Sequence, residues 1–166
     1  MARPKLRLPL SPVEKVIQVV SATGLAGIII MLFTSWPSMP DKIPNHFGPS
    51  GGVDSWGGKG ILFLLPIIMT FMYGLLTIIE RIPHLYNYMC EITEENAEFQ
   101  YRNARMMLTL LKIEIIFLFG YIEWQMMCTG LGKSTGLGIG FLPVYLLILF
   151  GTVGFFTYRM AKHGKK

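Results

Sequence analysis

Apolar residues run through this chain in four long blocks separated by polar segments, and each block is about as long as a bilayer is thick. The blocks fall at 13–35, 60–79, 106–129 and 137–158. None breaks into the short amphipathic repeats of a soluble helix. Since ~20 apolar residues cross the hydrocarbon core, the pattern predicts an all-α polytopic membrane protein. Its expected architecture is a four-helix transmembrane bundle forming a single domain over 1–166. The polar segments are 36–59, 80–105 and a short link before the last block. Ser11-Pro12 opens the first helix, because proline is tolerated at the first helical position. Thr93 followed by Glu94, Glu95 and Asn96 marks a second helix start, a capping hydroxyl with acids in the first turn. The third helix is therefore expected to begin near Glu94, ahead of its apolar block. Its length is on the order of 35 residues, or ~50 Å at 1.5 Å per residue.

Composition supports the same class. Of 166 residues, 52% are hydrophobic and only 15% charged, against about 25% charged in soluble domains; the mean hydropathy is +0.48. Arg3, Lys5 and Arg7 precede the first block as they would a signal peptide. The block is too long for a signal core, and Ser35-Trp36-Pro37 is a poor cleavage site, so a retained helix is expected. Gly24 and Gly27 in the first helix, and Gly151 and Gly154 in the fourth, are expected to permit close helix contact.

Lysine and arginine set the orientation. Arg3, Lys5, Arg7, Lys15, Arg81, Arg102, Arg105, Arg159, Lys162, Lys165 and Lys166 fall on one side of the four-helix scheme. Only Lys42, Lys59 and Lys133 fall on the other, with Lys112 inside a helix. Both termini and the 80–105 loop are thus expected in the cytoplasm, and the 36–59 loop outside. The net charge of +5 then reflects this bias and attraction to anionic headgroups, and gives no reason to expect a nucleic-acid partner. Cys90 and Cys128 fall on opposite sides in this scheme, which excludes a disulfide between them, and show no metal spacing. No cofactor is expected.

Candidate chemistry lies in three places. The outer loop offers Trp36, Asp41, His46, Asp54, Trp56 and Lys59. His46 and Asp54 are the metal candidates, or an acid–base pair with Asp41. Alternatively the two acids bond nearby backbone, His46 caps a helix end and the tryptophans anchor at the interface. In the third helix, Arg105, Thr109, Lys112 and Glu123 fall on nearly one stripe at 100° per residue, with Glu114 roughly 160° from Lys112. Lys112 and Glu123 are candidates for ligand or proton binding, against a structural ion pair or snorkelling. In the 80–105 loop, His84, Glu94, Glu95 and Glu98 could dock a cytoplasmic partner, with Tyr86 and Tyr88 as interfacial anchors. Gly57-Gly58-Lys59-Gly60 lacks the spacing of a phosphate loop.

Trp36-Pro37, Pro40-Asp41-Lys42-Ile43-Pro44, His46-Phe47, Ser50-Gly51, Val53-Asp54, Trp56-Gly57 and Lys59 resemble the signature of a bacterial membrane family of unknown function. That family's domain also forms the N-terminal part of SdpI-type immunity proteins, which protect cells from the sporulation-delaying toxin. The resemblance covers the first helix, the loop and the second helix. Pro83-His84, Asn87-Tyr88 and Ile92-Thr93-Glu94-Glu95-Asn96 are similar to a Gram-positive subgroup. It implies a multi-pass protein of the bacterial cytoplasmic membrane. It further implies an immunity or signalling role, with a peptide toxin or other extracellular ligand at the loop and a regulator such as a membrane-held repressor in the cytoplasm. The alternatives are a transporter or accessory subunit, which would need homo-oligomers to widen its path, and a metal-dependent enzyme in which His46, Asp41, Asp54 and Glu123 meet.

Overall fold

The computed structural model describes residues 3–164; Lys165 and Lys166, counted above toward orientation, lie outside the described residues. The chain is mostly helical, with α1 at Pro12–Ser35, α2 at Leu64–Ile79, α3 at Ala97–Gly130 and α4 at Phe141–His163. Three segments are long and apolar enough to cross a membrane: Pro12–Ser38, Lys59–Ile79 and Phe141–His163. Their surfaces are largely open, with Val16, Ile30, Phe33, Ile67, Phe71, Ile78, Leu147 and Phe150 among the exposed side chains. Such a surface is stable against acyl chains and not against water. The chain is a membrane protein.

The third helix differs. It is 34 residues long and contacts α1, α2 and α4. Its polar stripe is the buried one: Arg105, Thr109, Lys112 and Glu123 are each no more than 5% exposed. The stripe expected from the sequence is therefore the inner face of the bundle. Glu114, on the other face, bonds to α4.

Between α1 and α2 the chain forms more than a loop. A 3-10 turn at Trp36–Ser38 leads into an antiparallel hairpin, β1 at Lys42–Phe47 and β2 at Val53–Gly58, and a second 3-10 turn at Lys59–Phe63 leads into α2. This corrects the purely helical expectation, and it places His46 on a strand and not at a helix end. Two register irregularities, one on each side of His46, bend the ribbon. Ile43 is fully buried with Leu32, Met39, Leu62, Met126 and Met127, which ties β1 to α1, α3 and the second 3-10 turn. Gly130 permits this approach, since a Cβ there would stand 2.6 Å from Ile43 Cδ1.

The hairpin tip is also fastened to the link between α3 and α4. Leu137 N–H donates to Gly51 O at 2.7 Å, and Gly52 bridges Gly136. Gly51 has φ +79° and Gly136 φ +142°, conformations that favour glycine. Consequently α4 starts at Phe141 and not near Leu137. Of the four helix glycines, Gly24 meets Ile116 of α3, whereas nothing lies within 4 Å of a Cβ at Gly27, Gly151 or Gly154. The α4 glycines thus make no close helix contact within the described fold, contrary to expectation.

A Cβ at Gly51 would stand 2.5 Å from Gly138 O. Gly51→Ala is expected to detach the tip at a cost of about 1–3 kcal/mol. Hydrogen exchange should then rise at Leu137 and along β2 while α1 and α2 stay protected; unchanged exchange at Leu137 would show that the clamp is not needed.

Candidate functional site

Two polar sites lie at opposite ends of the bundle. At the end away from the hairpin, Lys112 of α3 is 1% exposed and reaches three neighbours. Its Nζ donates to Gln18 Oε1 at 2.6 Å, Glu80 Oε2 at 3.0 Å and Thr77 Oγ1 at 3.1 Å. Gln18 Nε2 donates to Glu80 Oε2 at 2.6 Å, and Thr109 Oγ1 donates to Glu80 Oε1 at 3.2 Å. The Tyr73 ring lies 5.0 Å from the ammonium. Every donor on Lys112 is used, which is the condition for siting a charge in low dielectric.

About two turns toward the N-terminal segment, Arg105 grips Glu14 through Nε at 2.7 Å and Nη2 at 3.2 Å. Nη1 and Nη2 also donate to the carbonyls of Leu8 and Pro9, respectively. Glu14 also closes the capping box with Ser11 that starts α1. One carboxylate thus caps α1 and pins it to α3. Glu80, Gln18 and Glu14 were not singled out in the sequence. Glu80 sits at the last turn of α2, where it reads as a loop residue, and its pairing with Lys112 spans 32 positions.

Glu123 lies farther along the same face of α3, fully buried, and neither oxygen has a partner among the described residues. Eleven residues, about 16 Å of helix, separate it from Lys112. Ile116, Leu25 and Met69 pack in that interval, and Gly120 touches Ile28. The polar path imagined between Lys112 and Glu123 is therefore interrupted by apolar packing.

At the hairpin, His46 Nδ1 lies 2.6 Å from Asp54 Oδ1 across the strands, and both side chains are exposed. Asp41 is separate: it faces Lys59 at 3.7 Å, and Lys59 lies 5.3 Å above the Trp36 ring. Trp36 packs on Phe63 at 4.7 Å, whereas Trp56 stands exposed on β2. Of the four groups required by the enzyme reading, only His46 and Asp54 meet. Among the described residues no three His, Cys, Asp or Glu side chains gather as a metal set, and two donors leave a tetrahedral site half made. Beneath the hairpin lies a cavity of about 300 Å³, bordered by His46, Phe47, Leu65, Leu118, Ile122 and Phe141.

In the 80–96 segment, Tyr86 donates to Ile79 O at 2.7 Å and Tyr88 to Pro83 O at 2.9 Å, with stacked rings. Burial pushes both phenols above their ordinary pKa, so they serve as neutral donors that fold the segment. His84 is half-buried, while Glu94, Glu95 and Glu98 are exposed, Glu98 beside Arg102. Cys90 and Cys128 are free.

Comparison with known proteins bears on the hairpin. A family model described as a domain of unknown function (DUF1648) matches residues 24–70. The matched segment runs from the middle of α1 through the hairpin into α2. It supports the resemblance to a family of unknown function that the hairpin residues carry. No curated protein and no solved structure matches the chain.

Lys112→Met is expected to leave Glu80 buried and undercompensated, at a cost of about 3–5 kcal/mol. Adding Glu80→Gln should recover much of that loss in reversible unfolding from mixed micelles. Additive losses would show that the two side chains are not coupled.

Proposed function

We propose that this chain is a four-span, single-domain protein of the bacterial cytoplasmic membrane, of SdpI-like immunity or signalling type, with its hairpin as an extracellular recognition surface. In this reading both termini and the 80–96 segment face the cytoplasm, and α3 is the fourth span. The buried stripe of α3 supports that assignment, because its charges are paired or enclosed by neighbouring helices and need not meet lipid.

The observation that carries the recognition reading is the make-up of the hairpin. An exposed His46–Asp54 pair and an exposed Trp56 stand on a ribbon held rigidly to the bundle by Ile43 and by the Gly51 clamp. Below them opens an apolar cavity at the depth where α2 begins. A polar rim over an apolar pocket fits an amphipathic, membrane-active peptide, which would place charged groups at His46 and Asp54 and an apolar side chain below. Glu94, Glu95 and Glu98 would face a basic cytoplasmic regulator.

Orientation is tested by single cysteines in a chain lacking Cys90 and Cys128. Ser55→Cys should react with an impermeant maleimide on intact cells, and Glu94→Cys only after permeabilisation. The reverse pattern would invert the topology.

Recognition is tested by exposing expressing cells to the sporulation-delaying toxin peptide. Wild type is expected to raise survival, and His46→Ala or Trp56→Ala to lower that protection at least tenfold at equal membrane abundance. Protection equal to wild type would remove the hairpin from the mechanism, and no protection by wild type would sink the immunity reading.

A further inference from the structure

The groove between α3 and α4 contains an acid that neither end of the bundle uses. Glu114 Oε1 accepts a 2.6 Å hydrogen bond from Thr152 Oγ1 of α4. Its Oε2 is buried and has no partner among the described residues. The groove it borders has a volume of about 520 Å³. Aromatic side chains form much of the wall: Tyr121 stacks on Phe141 at 4.7 Å, and Phe141 continues to Tyr145 at 6.5 Å. The Tyr121 hydroxyl donates to Leu137 O and accepts from Gln125 Nε2, which fixes the ring.

Charge decides what such a groove can hold. Glu114 is the one charged residue that lines it, and Lys112, on the far side of α3, is committed to Glu80. An anionic ligand would meet the Glu114 carboxyl and apolar walls, with no cationic side chain among the lining residues to offset its charge. A hard metal ion needs six or more oxygens, and this groove offers a carboxyl and tyrosine hydroxyls. A large organic cation with its charge spread over apolar substituents meets both demands. The carboxylate supplies the counter-charge, and the aromatic faces attract the cation at little desolvation cost. The exposed rim residues Phe117, Val144 and Ile148 leave the groove open toward the acyl chains, where such cations partition.

We propose that the α3–α4 groove is a binding site for lipophilic organic cations, with Glu114 as counter-ion and Tyr121, Phe141 and Tyr145 as its aromatic wall. This site does not depend on the hairpin reading, and either can fail alone.

The test is equilibrium binding of tetraphenylphosphonium to the full chain in nanodiscs, beside the neutral analogue triphenylphosphine oxide. Wild type should bind the cation saturably and at least tenfold more tightly than the neutral compound. Glu114→Gln should lose at least tenfold in cation affinity and leave the neutral compound unaffected. Equal affinity in wild type and Glu114→Gln, or partitioning without saturation, would overturn the proposal. A second measurement needs no variant. The hydrophobic carbodiimide dicyclohexylcarbodiimide should modify Glu114, located by peptide mass spectrometry, and the bound cation should slow that modification several-fold. Modification that ignores the cation, or none at Glu114, counts against the site.

Discussion

The fold depends on the cost of enclosing charge among apolar helices. Helix α3 carries Arg105, Lys112 and Glu123 along one face, and burying such a charge without a partner carries a penalty of several kcal/mol. The apolar helices α1 and α2 therefore close over that face. Each brings the group the charge needs: Glu14 and Gln18 from α1 meet Arg105 and Lys112, and Glu80 from the end of α2 meets Lys112. In a bilayer, apolar contact gives helices little reason to prefer one another over lipid, so packing detail and polar pairs decide which faces meet. Gly24 against Ile116 and Gly120 against Ile28 supply the close packing beside the ion pairs. Register follows from the same pairs, because sliding α1 by one turn would part Glu14 from Arg105 and Gln18 from Lys112.

This division of labour explains how much of the molecule was legible in its sequence. Helices α1 and α2 lie close to their apolar blocks, since hydropathy is a local property and their surfaces face lipid. The inner face of α3 was legible from helical periodicity, and its early start before the apolar block from the capping pattern of Thr93 to Asn96. What a single sequence hides is the partner. Nothing local to Glu80 or Glu14 announces that each will neutralise a cation on α3. The hairpin was hidden for another reason. Its strands read Lys-Ile-Pro-Asn-His-Phe and Val-Asp-Ser-Trp-Gly-Gly, with a proline, glycines and no clean alternation, which are the marks of a loop. It is held by tertiary contacts, Ile43 in the core and Gly51 on Leu137, more than by strand propensity. Within the candidate site, the approach of His46 to Asp54 follows from cross-strand pairing and could not be read from a spacing of eight.

Rigid attachment gives the hairpin its mechanical meaning. A loop of 24 residues tethered only at its ends would lose conformational entropy whenever it ordered around a ligand. Here Ile43 anchors β1 to the end of α3, and Gly51 and Gly52 anchor the tip to the link that precedes α4. A ligand on the ribbon meets a surface already formed. Displacement of the tip would pull on the link, and the link leads directly into Phe141, the first residue of α4 and a wall of the α3–α4 groove.

Three features thus share one helix and differ by face. The inner face of α3 carries the ion pairs that hold α1 and α2. Its end supports the hairpin through Met126, Met127 and Gly130. The opposite face presents Glu114 to α4. Helix α4 is held differently from the others: among the described residues it makes no ion pair with α3, and its contacts run through Thr152 on Glu114, through Gln100 on Met160 O, through Arg159 and His163 on the Phe99 ring and through the aromatic stack of Tyr121 and Phe141. A bundle in which three elements are locked by buried ion pairs and the fourth by single hydrogen bonds and ring contacts has one element that can shift at lower cost, because those contacts are individually weaker than a buried ion pair. That element borders both the hairpin cavity and the α3–α4 groove, so an occupant of either would act on the least constrained helix of the four.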